Sequence, residues 1–543
     1  MVPVSSSDDV GCRLPLTFLG ALVATLFAGC ASAAGPGGPP SNTQPARASS
    51  LLSRAPSPVP THGGAFFVAT SGSDTTGTGA AGNPWRTITH AINSAGGPGV
   101  AIEVRAGTYN ERVSIDRSGS ATAGFTISNY DYPKVAVIDG SKIPYANDGS
   151  YAYGLVSLQN QSYVTFRGFE VMGFKTANDS ETLAGIEVEG SGTDIALVNN
   201  HITEIWNTGV ASSHNGDCGG SEPQAFGLIV AGTNGTKPIS RVTIRGNELN
   251  DLRTGCSESM TVNGNVVDFV IASNTVHDNS NIGIDAIGGE GVASGYNQYN
   301  GSENDQARDG EIDDNVVYNI HSSSLGASGV YGTACNCADG LYLDGSEAIV
   351  VERNTVHNTD LGIEVTGEGA AQNTSDDIVR DNLFYANLET GIGIGGNGTP
   401  GGASNVRVLD NTLYDNSTDA NNGTGDVYVG TKLSAPIVFE NNVVDAGPLG
   451  PIGGQTQTKG LTFDDNLYFN GTSPFAEPHS LNTDPKFVDP NSSPPNLQVQ
   501  SGSPALKRGT TSLGSLVGPY DVSGAPRIDA NDGTIDIGAY EQQ

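Results

Sequence analysis

The chain has 543 residues, 36% of them hydrophobic, with 74 glycines and 18 tyrosines. This is enough apolar material for a large core and excludes disorder of the whole. Asp and Glu total 58 against 25 Lys and Arg, a formal net charge of −33, which argues against nucleic acid or an anionic membrane as the main partner and leaves a neutral glycan, or an anionic one bridged by Ca²⁺.

Leu14 to Ala28 is the only long apolar run; Arg13 precedes it and GCASAA follows it. Its length suits a secretory apolar segment rather than a membrane span, so residues 1–33 read as a signal peptide and the protein as exported: secreted, periplasmic or at the cell surface. Two processing readings stand side by side. Signal peptidase cuts after Ala31-Ser32-Ala33, or FAGC is a lipobox that makes Cys30 a lipidated N-terminus. Residues 34–62 are rich in Pro, Ser and Gly and read as a flexible tether. Cys218, Cys256, Cys335 and Cys337 remain after processing, in keeping with export. Four thiols allow three pairings, of which Cys218 to Cys256 is the expected bridge, with Cys335 and Cys337 read as loop staples or free thiols.

The folded part starts near Ala65. In NPWRTITHAINSAGG, Ile88, Ala91, Ile92 and Ala95 fall at i, i+3, i+4 and i+7, which predicts an amphipathic helix ended by Gly96 and Gly97, placed to cap the edge of a sheet. From about Gln161 a repeat sets in, each copy a short alternating strand followed by Asn and another apolar pair, as in VTIRGNEL, FVIASNTV and IVVERNTV. The aligned residues are Asn200, Asn247, Asn274, Asn315, Asn354, Asn382, Asn411, Asn442 and Asn466, with Phe169 in the same place one copy earlier. Neighbours are separated by 27 (247 to 274), 28 (354 to 382), 29 (382 to 411), 31 (411 to 442) and 24 (442 to 466) residues. Period-2 alternation with no helical stripe between copies predicts strands that bury their apolar face by coiling on one another, a single-stranded right-handed parallel β-helix over residues 65–483. The asparagines then stack coil on coil at a bend, where Asn tolerates left-handed dihedrals. Residues 484–543 turn irregular and read as the closing segment.

The opening FFVATSGSDTTGTGAAGNPWRTITHAINSAGGPGVAIEVRAGTYNERVSI resembles that of bacterial right-handed β-helix carbohydrate-active proteins, including a family of pectate lyases. DPKFVDP, GSPALKRGT and DIGAYE resemble the closing segment of many secreted proteins of that superfamily. The resemblance implies the fold but not the reaction, because the superfamily holds lyases, hydrolases, epimerases and non-enzymatic surface proteins.

Three intervals in the Asn series are long: 47 (200 to 247), 41 (274 to 315) and 39 (315 to 354). Their extra residues leave the coil as loops that wall a cleft. The chemistry is expected there, around Asp285, Glu290, Arg308 and Asp309 and in the coils CADGLYLDG and DLGIEV. With Leu341 and Leu343 inward, alternation turns Tyr342 and Asp344 outward, and it does the same for Glu364 and Asp285. Aligning the glycines puts Tyr342 beneath Glu364 and Asp344 on the diagonal. Crowded carboxylates hold one proton near neutrality, which cleavage of a glycosidic bond by an acid and a nucleophile or base requires. The segment DGLYLDG...VVERNTVHN...DLGIEV also resembles the catalytic region of β-helix β-xylosidases, which implies Asp344 as nucleophile and Glu364 as general acid; Gly345 stands where that family has an aromatic residue.

The expected activity is therefore hydrolysis of a polysaccharide by Asp344 and Glu364, with Asp285, Arg308, Tyr342, Glu290 and Asp309 binding substrate and no cofactor required. A Ca²⁺-dependent polyuronate lyase is the first alternative; TDLGIE is the nearest match to the Asp-rich pattern of the pectate lyases resembled, and Arg308 or His321 would be its base. A non-catalytic carbohydrate-binding solenoid is the second. Asp339 and Asp360 read as turn residues, Glu187 in GIEVEG as ordinary coil sequence, and His201, His277 and His357 as bend fillers.

Overall fold

The computed structural model describes residues 64–209, 223–297, 299–322, 337–369, 372–396, 401–421, 423–454 and 460–542. The signal peptide, the tether and Cys30, Cys218 and Cys335 lie outside the described residues, and with them the expected Cys218 to Cys256 bridge. Cys256 and Cys337 are both disulfide-bonded. Among the described residues no helix is long and apolar enough to cross a membrane.

Three long parallel sheets of 16, 13 and 11 strands wind around one core as a right-handed parallel β-helix. Each coil visits them in the same order. Val350–Glu352 lies in the first sheet, Thr355–Thr359 in the second and Leu361–Val365 in the third. We call these sheets I, II and III. Alternation supplies the core: Ile284, Leu341, Ile363 and Ile392 form one inward row of sheet III, and Ala286, Leu343, Val365 and Ile394 the next.

The predicted asparagines stand at the bend between sheets I and II. From Asn200 to Asn442, the backbone N–H and the side-chain amide of each donate to the Oδ1 of the next, at 2.8–3.1 Å. Phe169, lacking an amide, begins the row by donating its N–H to Asn200 Oδ1. The residue before each Asn often takes a positive φ, as Asn199, Ser273, Arg353 and Asp381 do. On the outer face of sheet II, His277, Tyr318, His357 and Tyr385 stack ring on ring at centroid distances of 4.6–5.1 Å, so His277 and His357 pack along the coils as expected of fillers.

The predicted cap is the helix Ile88–Ala95, with Ile88, Ala91 and Ile92 buried. Thr87 caps it, and the Glu111 carboxylate accepts from the first N–H groups, Ile88 at 2.9 Å and Thr89 at 3.0 Å. At the far end, after Leu481–Asn482, the chain forms an antiparallel hairpin, Phe487–Asp489 with Asn496–Val499, and then runs back along the outside of sheet II. The cause is an apolar outer face: Leu383, Val443 and Leu467 are covered by Phe487, Leu497, Ile537 and Ala539. Arg527, wholly buried, fixes this return through Asp410 at 3.0 Å and Asp381 at 3.5 Å.

Candidate functional site

Sheet III carries the acids. Its register pairs Thr261 with Asp285, Asp285 with Tyr342, and Tyr342 with Glu364, one outward row across four strands. Asp344 pairs with Ile287 in the neighbouring outward row, so it lies diagonal to both Asp285 and Glu364. Adjacent strands stand ~4.8 Å apart, and a two-residue diagonal offset is roughly 7–8 Å. The expected face and register of Asp285, Tyr342, Asp344 and Glu364 are those of the structure.

The open face expected around them is not. Asp285, Tyr342 and Asp344 are 1%, 2% and 5% exposed. They lie beneath side chains brought in by excursions from the coil, with Tyr151 and Glu290 forming part of the cover. Glu368, from the turn after Leu361–Val365, reaches over the same face. Its backbone N–H donates to Asp344 Oδ1 at 2.8 Å, and its carboxylate accepts the Tyr342 hydroxyl at 3.2 Å.

Two further acids join the cluster against simple alternation. Asp339 has the same parity as Leu341, and Glu258 the same parity as Met260, so both should point inward. The strands bend between them. A Cβ at Gly340 would sit 2.3 Å from Val356 Cγ1, in the core, and Leu341 beside it is also core. Two successive positions therefore face inward, and the residue before them swings outside. Gly283 and Gly362 occupy the same bend, where an added Cβ would meet Val317 and Phe384. The glycine in DGLYLD and DLGIEV is thus required by close approach to the core, and it is what brings Asp339 into the cluster.

Glu258, Asp285, Asp339 and Asp344, all buried, and Glu290, Glu364 and Glu368, half-buried, form one group of carboxyls. Burial is the first cause that pushes each of them above the ordinary carboxylate range, and except for Glu364 neighbouring carboxylates push further. Glu364 is pushed up by burial to about 7. Asp344 is raised by burial and then by Glu290 and Glu364, against the Glu368 N–H, which favours its charged form. Carboxyls this close titrate together, and the group holds its protons more tightly than free carboxylic acids do.

Arg308 and Asp309, expected to bind substrate, are elsewhere. Ala307–Arg308 pairs with Val266–Val267 in sheet I, and the guanidinium donates to Asn265 Oδ1 and to the Gln306 carbonyl. Asp309 is an exposed turn residue at φ 53 whose N–H bonds Glu347 O. The long interval that contains them returns to the coil at Ala307, before it could carry them to sheet III. Asp360 is a local hub, accepting from the His321 ring, Ser322 and Ala338. Glu187 stands on the same outward row as Asp285, several strands away, where burial raises it to about 8.

Among the described residues, no Lys or Arg lines the cleft over Glu258, Asp285 and Asp344. Asn263 Oδ1 and Asp285 Oδ1 are buried there without a hydrogen-bond partner, beside Glu290, which accepts from Asn263 Nδ2 at 3.0 Å. Free space is about 30 Å³, room for an ion or one or two waters and too little for a sugar ring. Asn263, Asp285 and Glu290 offer oxygen donors of the kind a hard cation such as Ca²⁺ takes, but among the described residues the acids and histidine whose ligand atoms converge closely enough to hold a metal ion are Asp464, Asp465 and His479, away from this cleft.

A family described as "Protein of unknown function (DUF1565)" matches residues 70–115, which take in the capping helix and the first coil. A Bacillus subtilis (strain 168) protein, "Uncharacterized protein YwoF", is 32% identical over 320 residues, 59% of this chain and 62% of that protein, so the match spans less than two thirds of the relative. Among solved structures, pectate lyase Pel9A is similar over 88% of this chain and 96% of its own, at 14% identity and a TM-score of 0.43. The complex of XylC with xylose covers 88% and 98% at 12% identity and 0.45, and a rhamnogalacturonan lyase 83% and 97% at 13% and 0.46. The fold itself is established by the three sheets.

Proposed function

We propose that the protein is an exported polysaccharide-degrading hydrolase that cleaves glycosidic bonds with Asp344 and Glu364. The observation that carries this reading is the register: Tyr342 opposite Glu364 sets the two carboxyls on adjoining strands of one face, at an offset near the separation used by inverting glycosidases. Glu364, held near half protonation at neutral pH by burial, suits a general acid. Burial, Glu290 and Glu364 push Asp344 well above the ordinary carboxylate range, so its use as base or nucleophile relies on the Glu368 backbone N–H, which favours the ionised form, and on proton loss to the neighbouring carboxyls when substrate enters. Tyr342 lies between Asp285 and Glu364 and contributes a wall. A glycosyl unit reaching Asp344 displaces part of the cover formed by Tyr151 and Glu290. The disulfides at Cys256 and Cys337 support export.

The oxygens of Asp285, Asn263 and Glu290 favour a second reading, a Ca²⁺-dependent lyase. It ranks lower because β-elimination needs a cationic or neutral base at the cleft, and Arg308 and His321 are both engaged away from it. Incubation with a polysaccharide panel separates the readings. Hydrolysis releases reducing ends alone, elimination adds absorbance near 235 nm from the unsaturated product, and a binding solenoid gives neither. Unsaturated product, or no product from any polymer, would overturn the hydrolase.

A further inference from the structure

A second cavity, of about 250 Å³, lies on the outer side of sheet III, toward the N-terminal end from the acids. Its floor is made where three successive strands end, by Gln159 with Asn160, Glu189 with Gly190, and Thr233 with Asn234. Two excursions from the coil supply its walls, Asp148–Ser150 and Ser294. The cavity shares a row with the proposed catalytic acid. Glu189 pairs with Ala231, Ala231 with Asn263, Asn263 with Ile287, and Ile287 with Asp344. Four strand spacings separate them, ~19 Å.

The lining chemistry is that of a polyhydroxyl ligand. Asn160 Oδ1 accepts from the Ser191 N–H at 3.1 Å, and Asn234 Oδ1 accepts from the Thr236 and Lys237 N–H groups at 3.0 Å. With both carbonyls committed to backbone, the amide NH₂ groups are the donors these side chains have left. Glu189 is held in place by Gln159 Nε2 at 3.1 Å and Thr233 Oγ1 at 3.4 Å and keeps lone pairs for further donors. Each sugar hydroxyl both donates and accepts, so alternating amides and a carboxylate suit it. Glu189 and Asp148 disfavour an anionic ligand. Gly190 is required, since a Cβ there would stand 2.4 Å from Asn160 Oδ1. Tyr151 follows Ser150, is half-buried, packs 6.2 Å from Phe226 and lines the acidic cleft as well. A chain running from one cavity to the other meets its ring, a surface on which sugars stack.

We infer that this cavity holds a glycosyl unit of a neutral polysaccharide several residues away from the acidic cleft, with Tyr151 as the platform between them. Binding in the cavity stands apart from cleavage; only the consequence that polymers are cleaved in preference to short oligosaccharides rests on the hydrolase reading.

The test is affinity electrophoresis of the full Glu364→Gln protein through gels containing arabinoxylan, galactan, glucomannan or xyloglucan, with polygalacturonate as the anionic control. At least one neutral polymer retards the protein, and Thr233→Phe, which fills the cavity, weakens that retention roughly tenfold with an unchanged melting temperature. Should Thr233→Phe fail to fold, Gln159→Ala, at an exposed floor position, is read in its place. The inference is overturned when no neutral polymer retards the protein, when polygalacturonate alone does, or when the folded variant is retained as strongly as its parent. Retention without cleavage in the unmutated protein would sink the hydrolase reading and leave the cavity standing.

Discussion

Replacing Asn354 by Ala tests how the coil stack is held together. Asn354 is fully buried, and its side chain serves three coils. Its Oδ1 accepts the Asn315 N–H at 2.9 Å and the Asn315 amide at 3.0 Å, and its Nδ2 donates to the Ile312 carbonyl at 2.8 Å and to Asn382 Oδ1 at 3.0 Å. In Asn354→Ala, the Asn315 amide keeps the Ile271 carbonyl and Asn382 Oδ1 keeps the Asn354 N–H. The Asn315 N–H and the Ile312 carbonyl lose these partners. A buried group left without a partner costs about 1–3 kcal/mol, so the pair predicts a loss of roughly 2–6 kcal/mol, less where water enters the vacated space. Urea denaturation measures it, and hydrogen exchange should place the loss in the coils around residues 312–382, because a solenoid transmits stability through nearest neighbours. A loss below about 1 kcal/mol, or one spread evenly to the capping helix, would refute the ladder as a stabilising element.

Three further outcomes follow from the buried charges. Arg527→Met strands Asp381 and Asp410 in the interior and should cost about 3–5 kcal/mol, freeing the C-terminal return to proteolysis; adding Asp381→Asn and Asp410→Asn should recover most of it, and no recovery would contradict the electrostatic account. Glu364 titrates at about 7 and Glu187 at about 8, both raised by burial, so the folded state holds protons that the unfolded chain releases near the ordinary value of 4.5. Their contribution to stability is fully present below that value and is lost as pH rises through 7 and 8; the melting temperature should be higher at pH 5 than at pH 8, and the reverse order would show these acids to be ionised in the native state. Ca²⁺ at millimolar concentration should raise the melting temperature at pH 7.5 by binding only the folded protein, an increase that Asp285→Asn abolishes and whose persistence in that variant would place the ion elsewhere.

The sequence showed what local periodicity controls and missed what distant contacts control. Asn spacing specified the coils and alternation specified the face of Asp344 and Glu364, because both depend on residues within one repeat. Asp339 and Glu258 escaped because the strands bend between outward acid and inward Leu341 or Met260; for Asp339 the glycine before Leu341 was the available signal, marking an inward position rather than a turn, whereas Ser259 stands before Met260 and gave none for Glu258. Glu368 follows its strand by only three residues, yet nothing in the sequence turns it back over Asp344. Arg308 and Asp309 failed in the opposite way: they sit in a long interval as a catalytic loop would, but Arg308 lies in a short strand of sheet I and Asp309 in the turn after it. The return of the C-terminal segment depends on Arg527 finding Asp410, 117 residues earlier, a pairing no local pattern contains.

The account's central claim concerns two carboxyls acting as one device, and the pH dependence of polysaccharide hydrolysis tests it most directly. Unmutated protein should lose activity as pH rises through about 7, where Glu364 gives up its proton; Glu364→Gln should abolish that limb and lower the rate by roughly 10²–10⁴, and Asp344→Asn should be at least as damaging. Full activity in either variant, or an unchanged alkaline limb in Glu364→Gln, would contradict it.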